Sequence, residues 1–117
     1  MKRSIKPATK AQRAHQARQR EFGCICCHIE GNPNPEAEIH HINASGRNMG
    51  QDYTIPLCPY HHRGVIPDSR IYRGPSLADG KKPFVAHYGT ELELLERVNS
   101  EIACDSMTAE AQKMGLY

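Results

Sequence analysis

The sequence has no tryptophan and only two phenylalanines among its 117 residues. Hydrophobic residues make up 38% of the chain. The core they can build is thin, and chains of this size commonly add a metal or disulfide staple. No apolar run reaches the roughly 18 residues that a membrane-spanning helix needs, so no membrane partner is expected. The basic N-terminus lacks the apolar stretch of a secretory signal. The expected compartment is therefore cytoplasmic and reducing, where cysteines ligate metals sooner than they pair. No internal repeat and no low-complexity tract is present.

Acidic residues are missing from positions 1–20, which hold Lys2, Arg3, Lys6, Lys10, Arg13, Arg18 and Arg20. The rest of the chain holds eight basic and thirteen acidic residues, a balance of −5 beneath an overall charge of +2. A basic arm on a mildly acidic body suits a polyanion such as DNA. The expected division is a DNA-binding arm over 1–20 and one folded domain over 21–117. Thr9 to Phe22 is rich in Ala, Gln and Arg and compatible with a helix. Its apolar face is poor, so such a helix depends on packing or a partner.

Further along, residues 23–28 form a cysteine-dense turn, and 31–35, with two prolines, a loop. Residues 36–42 alternate as a short strand, with Ile39 and His41 on one face and His40 and Ile42 on the other. An open polar loop is expected over 43–52, then a second β-like run over 53–57 broken by Pro56. Pro59 suits the first turn of a helix that Gly64 and Pro67 end. A long loop is expected over 64–83. Thr90 and Glu93 form a capping box for a C-terminal helix whose core face carries Leu92, Leu95, Val98 and Ile102. Cys104 is expected on its apolar side.

Five cysteines and seven histidines are plentiful for this length. Cys24 and Cys27 are spaced C-x2-C, and Cys58 and His61 are spaced C-x2-H. Two residues of separation let both side chains of a tight turn converge on one ion, and two such turns complete a tetrahedral zinc site. A structural Zn2+ would contribute on the order of 10 kcal/mol to folding. Cys26 offers a competing C-x-C pairing with Cys24, although C-x2-C is the commoner geometry.

Of the other six histidines, three stand in His-His pairs: His40, His41 and His62. Neighbours on a strand point to opposite faces, so His40 and His41 are suited to different tasks. His62 lies about 100° round a helix from His61 and can meet His40 across a strand–helix interface. Two imidazoles on an ion with open positions, with a third as base, suit phosphodiester hydrolysis. The ion offsets charge on phosphate oxygens, and an imidazole titrating near pH 6.5 takes a proton from water.

The stretch Glu38-Ile39-His40-His41-Ile42, a Gly-containing loop, then Leu57-Cys58-Pro59-Tyr60-His61-His62-Arg63-Gly64 resembles the HNH (ββα-metal) nuclease superfamily. The resemblance implies a small α+β fold with a zinc knuckle and a C-terminal helix. It also implies that His41 is the general base and that His40 and His62 hold a catalytic ion, Mg2+ or another divalent cation. The knuckle Cys24, Cys27, Cys58 and His61 matches the structural zinc of many members. More narrowly, Gly23 to about Leu95 resembles the phage recombination-enhancement family of RecA-dependent nucleases. The supporting runs are Glu38-Ile-His-His, Ile55 to Gly64, Gly74-Pro-Ser-Leu-Ala, and Phe84 through Tyr88-Gly-Thr-Glu to Leu95. This implies a phage-encoded endonuclease in the host cytoplasm that cuts DNA engaged by a RecA filament. The superfamily's middle Asn, five residues before Cys58, is Tyr53 here; Asn43, Asn48 and Asp52 stand near it.

The rival expectation is a non-catalytic zinc-ribbon module that binds DNA or protein, for which His40, His41 and His62 have no use. Arg63, beside His62, is the best placed of the loop arginines Arg47, Arg63, Arg70 and Arg73 to contact phosphate. His15 is expected to be solvated, His28 to support the knuckle, and His87 to be partly buried.

Overall fold

The structure is a computed structural model that describes residues 6–44, 47–66, 72 and 74–113. The side chains of 44, 47 and 104–113 are outside the description, as are Lys2, Arg3, Arg70 and Arg73. The elements run α1 (Lys10–Phe22), α2 (Ile25–Ile29), β1 (Glu38–His41), β2 (Asn43–Ala44), β3 (Arg47–Asn48), β4 (Thr54–Leu57) and α3 (Pro59–Arg63). A 3-10 turn (Leu77–Asp79), α4 (Lys81–Tyr88) and α5 (Glu91–Lys113) follow. The class is α+β.

The N-terminal helix forms because both its ends are specified. Thr9 Oγ1 accepts from Gln12 N at 3.1 Å and Gln12 Oε1 accepts from Thr9 N at 2.8 Å, a closed capping box. Gly23, at φ 95°, ends the helix with its N–H on the Gln19 carbonyl. The expected boundary between arm and domain at residue 20 falls inside this helix, which packs on β1, β4 and α5. Its two buried residues are glutamines, Gln16 and Gln19. Gln19 Nε2 donates to the Thr54 carbonyl, and Thr54 Oγ1 donates to Gln19 Oε1, both at 2.8 Å. A helix with little apolar face is thus docked by buried amides.

β1 and β4 pair antiparallel, with His40 opposite Ile55 and His41 opposite Thr54. Opposed residues share a face. His41 and Thr54 therefore lie on the side that α1 covers, while Glu38, His40, Ile55 and Leu57 lie on the side of α3 and α5. The expected opposition of the two histidines is what the register gives. Three local expectations change. Pro56 does not break the second strand: it lies within β4, opposite Ile39. The polar stretch 43–52 contains the small β2–β3 hairpin. The expected loop over 64–83 contains the 3-10 turn and the start of α4.

The core gathers Ile25, Ile42, Ile55, Leu57, Phe84, Tyr88, Leu94, Leu95 and Val98 around the buried cysteines. On α5 the core face holds Leu94 rather than Leu92, which is 44% exposed. Glu91 takes the inward position one turn before Leu94 and Leu95. The Cys104 side chain lies outside the described residues.

Removing the Gln19 amide leaves a buried hydroxyl and a buried carbonyl of Thr54 without their partner. Gln19→Ala should destabilise the domain by about 2 kcal/mol, measured by urea denaturation in zinc-saturated buffer.

Candidate functional site

Two short helices begin in the same way. Cys24 caps α2 and its Sγ accepts from Cys27 N at 3.4 Å; Cys58 caps α3 and its Sγ accepts from His61 N at 3.5 Å. A cap residue and the third residue of the helix lie on one side of the first turn. Each turn therefore presents a pair of donor atoms, and the two pairs face each other. The donor atoms of Cys24, Cys27, Cys58 and His61 all lie within 4.8 Å of one another, and all four residues are buried. His61 Nδ1 is 3.4, 3.5 and 3.2 Å from the sulfurs of Cys24, Cys27 and Cys58. Cys27 and Cys58 sulfurs are 3.8 Å apart. Tetrahedral coordination with Zn–S near 2.3 Å sets sulfur–sulfur edges of about 3.8 Å, so the donor set fits such an ion. Cys26 is fully buried but not among the converging donors, which leaves C-x2-C as the pairing.

The outer partners complete the cluster. Glu30 Oε2 accepts from His61 Nε2 at 2.8 Å and from Tyr88 Oη at 2.5 Å. A carboxylate on the outer nitrogen fixes the imidazole with Nδ1 toward the sulfurs, the usual support of a metal-bound histidine. Burial, then the nearby Glu30 charge, pushes the Tyr88 phenol up, so Tyr88 stays a donor. Burial of Cys24, and the sulfurs crowding Cys27, push both thiols well above their ordinary value. Bonds from the Cys24 and Cys27 thiols pull Cys58 down. Burial opposes the charge on His61, yet the sulfurs of Cys27 and Cys58 outweigh it and raise His61 to about 10. Without a cation the cluster keeps protons that a metal would displace.

The other histidines separate by face. His40 and His62 meet edge-to-face with ring centroids 5.0 Å apart. His40 Nε2 contacts Glu91 Oε2 at 2.9 Å, and His62 Nδ1 contacts Glu38 Oε1 at 2.8 Å. Burial opposes ionisation of Glu91, but His40 and Lys81 outweigh it and hold the carboxyl below its ordinary value. Arg63 chiefly does the same for Glu38, through two bonds of 2.9 and 2.6 Å. Arg63, expected as a phosphate contact, is thus already paired in part. On the opposite face, His41 Nε2 lies 2.8 Å from Gln51 Oε1. Tyr53 is 38% exposed, and the residue reaching His41 is Gln51 rather than Asn43, Asn48 or Asp52.

Lys6, Lys10, Arg13, Arg18 and Arg20 are exposed on and before α1. His15 is not merely solvated: its Nε2 bonds Asn99 at 2.9 Å. His28 lies 3.8 Å from Glu101, and His87 is exposed on α4. The roles of Glu30, Gln51, Tyr88 and Glu91 escape a sequence reading. Their partners are 10 to 58 positions away, and no spacing motif marks such pairs.

These features define a small α+β protein with a Cys3His cluster that could bind a metal such as zinc, beside a pair of carboxylate-anchored histidines. Residues 8–103 match the family described as recombination enhancement, RecA-dependent nuclease, and the chain belongs to it. The matched stretch includes the residues of α1. No curated protein matches the chain. The family description implies a nuclease in recombination, with DNA as substrate and RecA involved. No described helix is long and apolar enough to cross a membrane.

Glu30→Gln should weaken zinc affinity about tenfold, read by competition with a chromophoric chelator. Because Cys24 and Cys27 hold their protons above the ordinary thiol range, zinc binding should release protons. Its apparent affinity should then fall steadily as pH is lowered below neutrality, measured by the same competition across pH.

Proposed function

We propose that the protein is a metal-dependent DNA endonuclease of the HNH type, acting on DNA engaged by a RecA filament. The observation that carries this reading is the His40–His62 pair, 5.0 Å apart and anchored by Glu91 and Glu38. A carboxylate on one nitrogen orients an imidazole for a ligand on the other. His40 Nδ1 and His62 Nε2 carry no hydrogen bond to the described residues. The order β1, β4, α3 supports the reading as well, since it is two antiparallel strands followed by a helix that brings His62 back to His40. A zinc-ribbon binding module would have no use for this second arrangement.

Under this reading Cys24, Cys27, Cys58 and His61 hold a structural zinc, and His40 and His62 hold the working cation. The cation, Mg2+ or a similar ion, supplies charge stabilisation at the phosphate and the leaving oxygen when bound. His41 accepts a proton from the water whose oxygen attacks phosphorus, while the P–O bond to the leaving sugar oxygen breaks. His41 ends β1. A phosphate laid across that end can meet His41 from one face of the strand and the His40–His62 pair from the other. Lys2, Arg3, Lys6, Lys10, Arg13, Arg18 and Arg20 supply counter-charge to the DNA backbone, which steers binding without reading sequence.

His41→Ala should lower the cleavage rate by at least about 100-fold with zinc content unchanged. The assay compares RecA-coated single strand pairing with a matching duplex against naked plasmid, in Mg2+. Equal cleavage by parent and variant would sink the catalytic assignment; cleavage of naked plasmid at the same rate would remove the RecA requirement. Each of Lys10, Arg13, Arg18 and Arg20 that contacts phosphate should, when changed to Ala, reduce the slope of log affinity against log salt by about one.

A further inference from the structure

His41 is held by a side chain whose own orientation is dictated by two main-chain carbonyls. Gln51 Nε2 donates to the Lys6 carbonyl at 3.0 Å. A carbonyl oxygen only accepts, so the amide nitrogen of Gln51 faces Lys6 and its Oε1 faces His41 Nε2, 2.8 Å away. Gln16 repeats the logic. Its Nε2 donates to the Gln51 carbonyl at 3.1 Å, which fixes the Gln16 amide, and also donates to Gln51 Oε1 at 3.1 Å. Gln51 Oε1 therefore accepts on both sides, and an accepting oxygen requires a hydrogen on His41 Nε2. Nδ1 is left as the lone-pair nitrogen of the neutral ring.

We infer that Gln51 is the positioning residue of His41, holding the ring with Nδ1 as the proton acceptor, and that Gln16 and the Lys6 carbonyl hold Gln51. The inference rests on the assignment of His41 as the base. It deepens that assignment by naming which nitrogen takes the proton and what aims it. The chain from Lys6 through α1 is then part of the active site as well as a carrier of positive charge. The basic segment that meets DNA and the support of the base are continuous in sequence, since Lys6, Lys10 and Arg13 flank the contacts that Lys6 and Gln16 make. The role is open to Gln because the loop carries it within 2.8 Å of the ring, while Tyr53 is 38% exposed.

The test uses the full-length protein carrying Gln51→Met, which keeps the length of the side chain and removes the acceptor. Imidazole nitrogen NMR of the zinc-loaded parent should show a slowly exchanging, hydrogen-bonded His41 Nε2–H. That signal should be lost in Gln51→Met, while the protein stays folded and its zinc content stays at the parent value. In the cleavage assay kcat should fall about 100-fold with KM unchanged, as expected for a misaimed group. Gln16→Leu, one step further out, should give a smaller fall in kcat. Retention of the protected Nε2–H in Gln51→Met, or an unchanged kcat in a variant that has lost it, overturns the inference. A His41→Ala protein as active as the parent would instead overturn the assignment of the base, and the NMR signal would still report whether Gln51 holds the ring.

Discussion

Three thiols and an imidazole nitrogen packed within 4.8 Å of one another cannot all shed their protons unless a cation sits among them. That requirement fixes more than a metal site. Cys24 and Cys58 each cap a short helix, so whatever binds the four donors also clamps α2 against α3. α3 follows β4 with only Cys58 between, and β4 sets the register of β1. The position of His40 and His41 on their strand is therefore referred back to the cluster. His62 is placed by the same turn: His61 points inward to the sulfurs, and the next residue, about 100° on, faces Glu38 and His40. For a chain with no tryptophan and two phenylalanines, a metal bound there would add what apolar burial alone supplies weakly.

The two faces of the β1–β4 ribbon then do different work. One is covered by α3 and α5, and there His40 and His62 are each tied to a carboxylate. The other is covered by α1, whose two buried residues are Gln16 and Gln19, with Phe22 at its end packed against the core. Buried amide pairing of this kind is directional, so it fixes α1 in one register against β4 and the loop that carries Gln51. The alternative, a wholly apolar helix face, would leave the register looser and offer nothing to orient an imidazole.

Much of the metal cluster was legible because its logic is local. C-x2-C and C-x2-H are spacings that a single turn converts into converging donors, and Pro59 and Gly64 mark the ends of the turn that bears His61 and His62. The opposed faces of His40 and His41 followed from strand alternation. Elements supported by distant partners were not legible. α4 begins after Gly80 and carries Pro83 in its first turn, so its sequence looks like loop until Phe84 and Tyr88 are seen buried in the core. The expected core residue Leu92 gave way to Leu94 because Glu91, buried against His40 and Lys81, turns the inward face of α5. Pro56 was compatible with β4 because strand pairing there tolerates a residue without an N–H. The resemblance to RecA-dependent nucleases drawn from Gly23 onward extends back to residue 8 in the family match. The region before Gly23 carries glutamines whose importance lies only in what they touch.

Under the proposed function one ion occupies the Cys3His cluster and a second, exchangeable one lies between His40 and His62. The most direct measurement is titration of the zinc-loaded protein with Mn2+, followed by electron paramagnetic resonance, in the parent and in His62→Ala. One Mn2+ should bind per parent chain beyond the zinc, and none in the variant. A parent that binds no Mn2+ beyond its zinc, or a variant that binds it as well as the parent does, would contradict that reading.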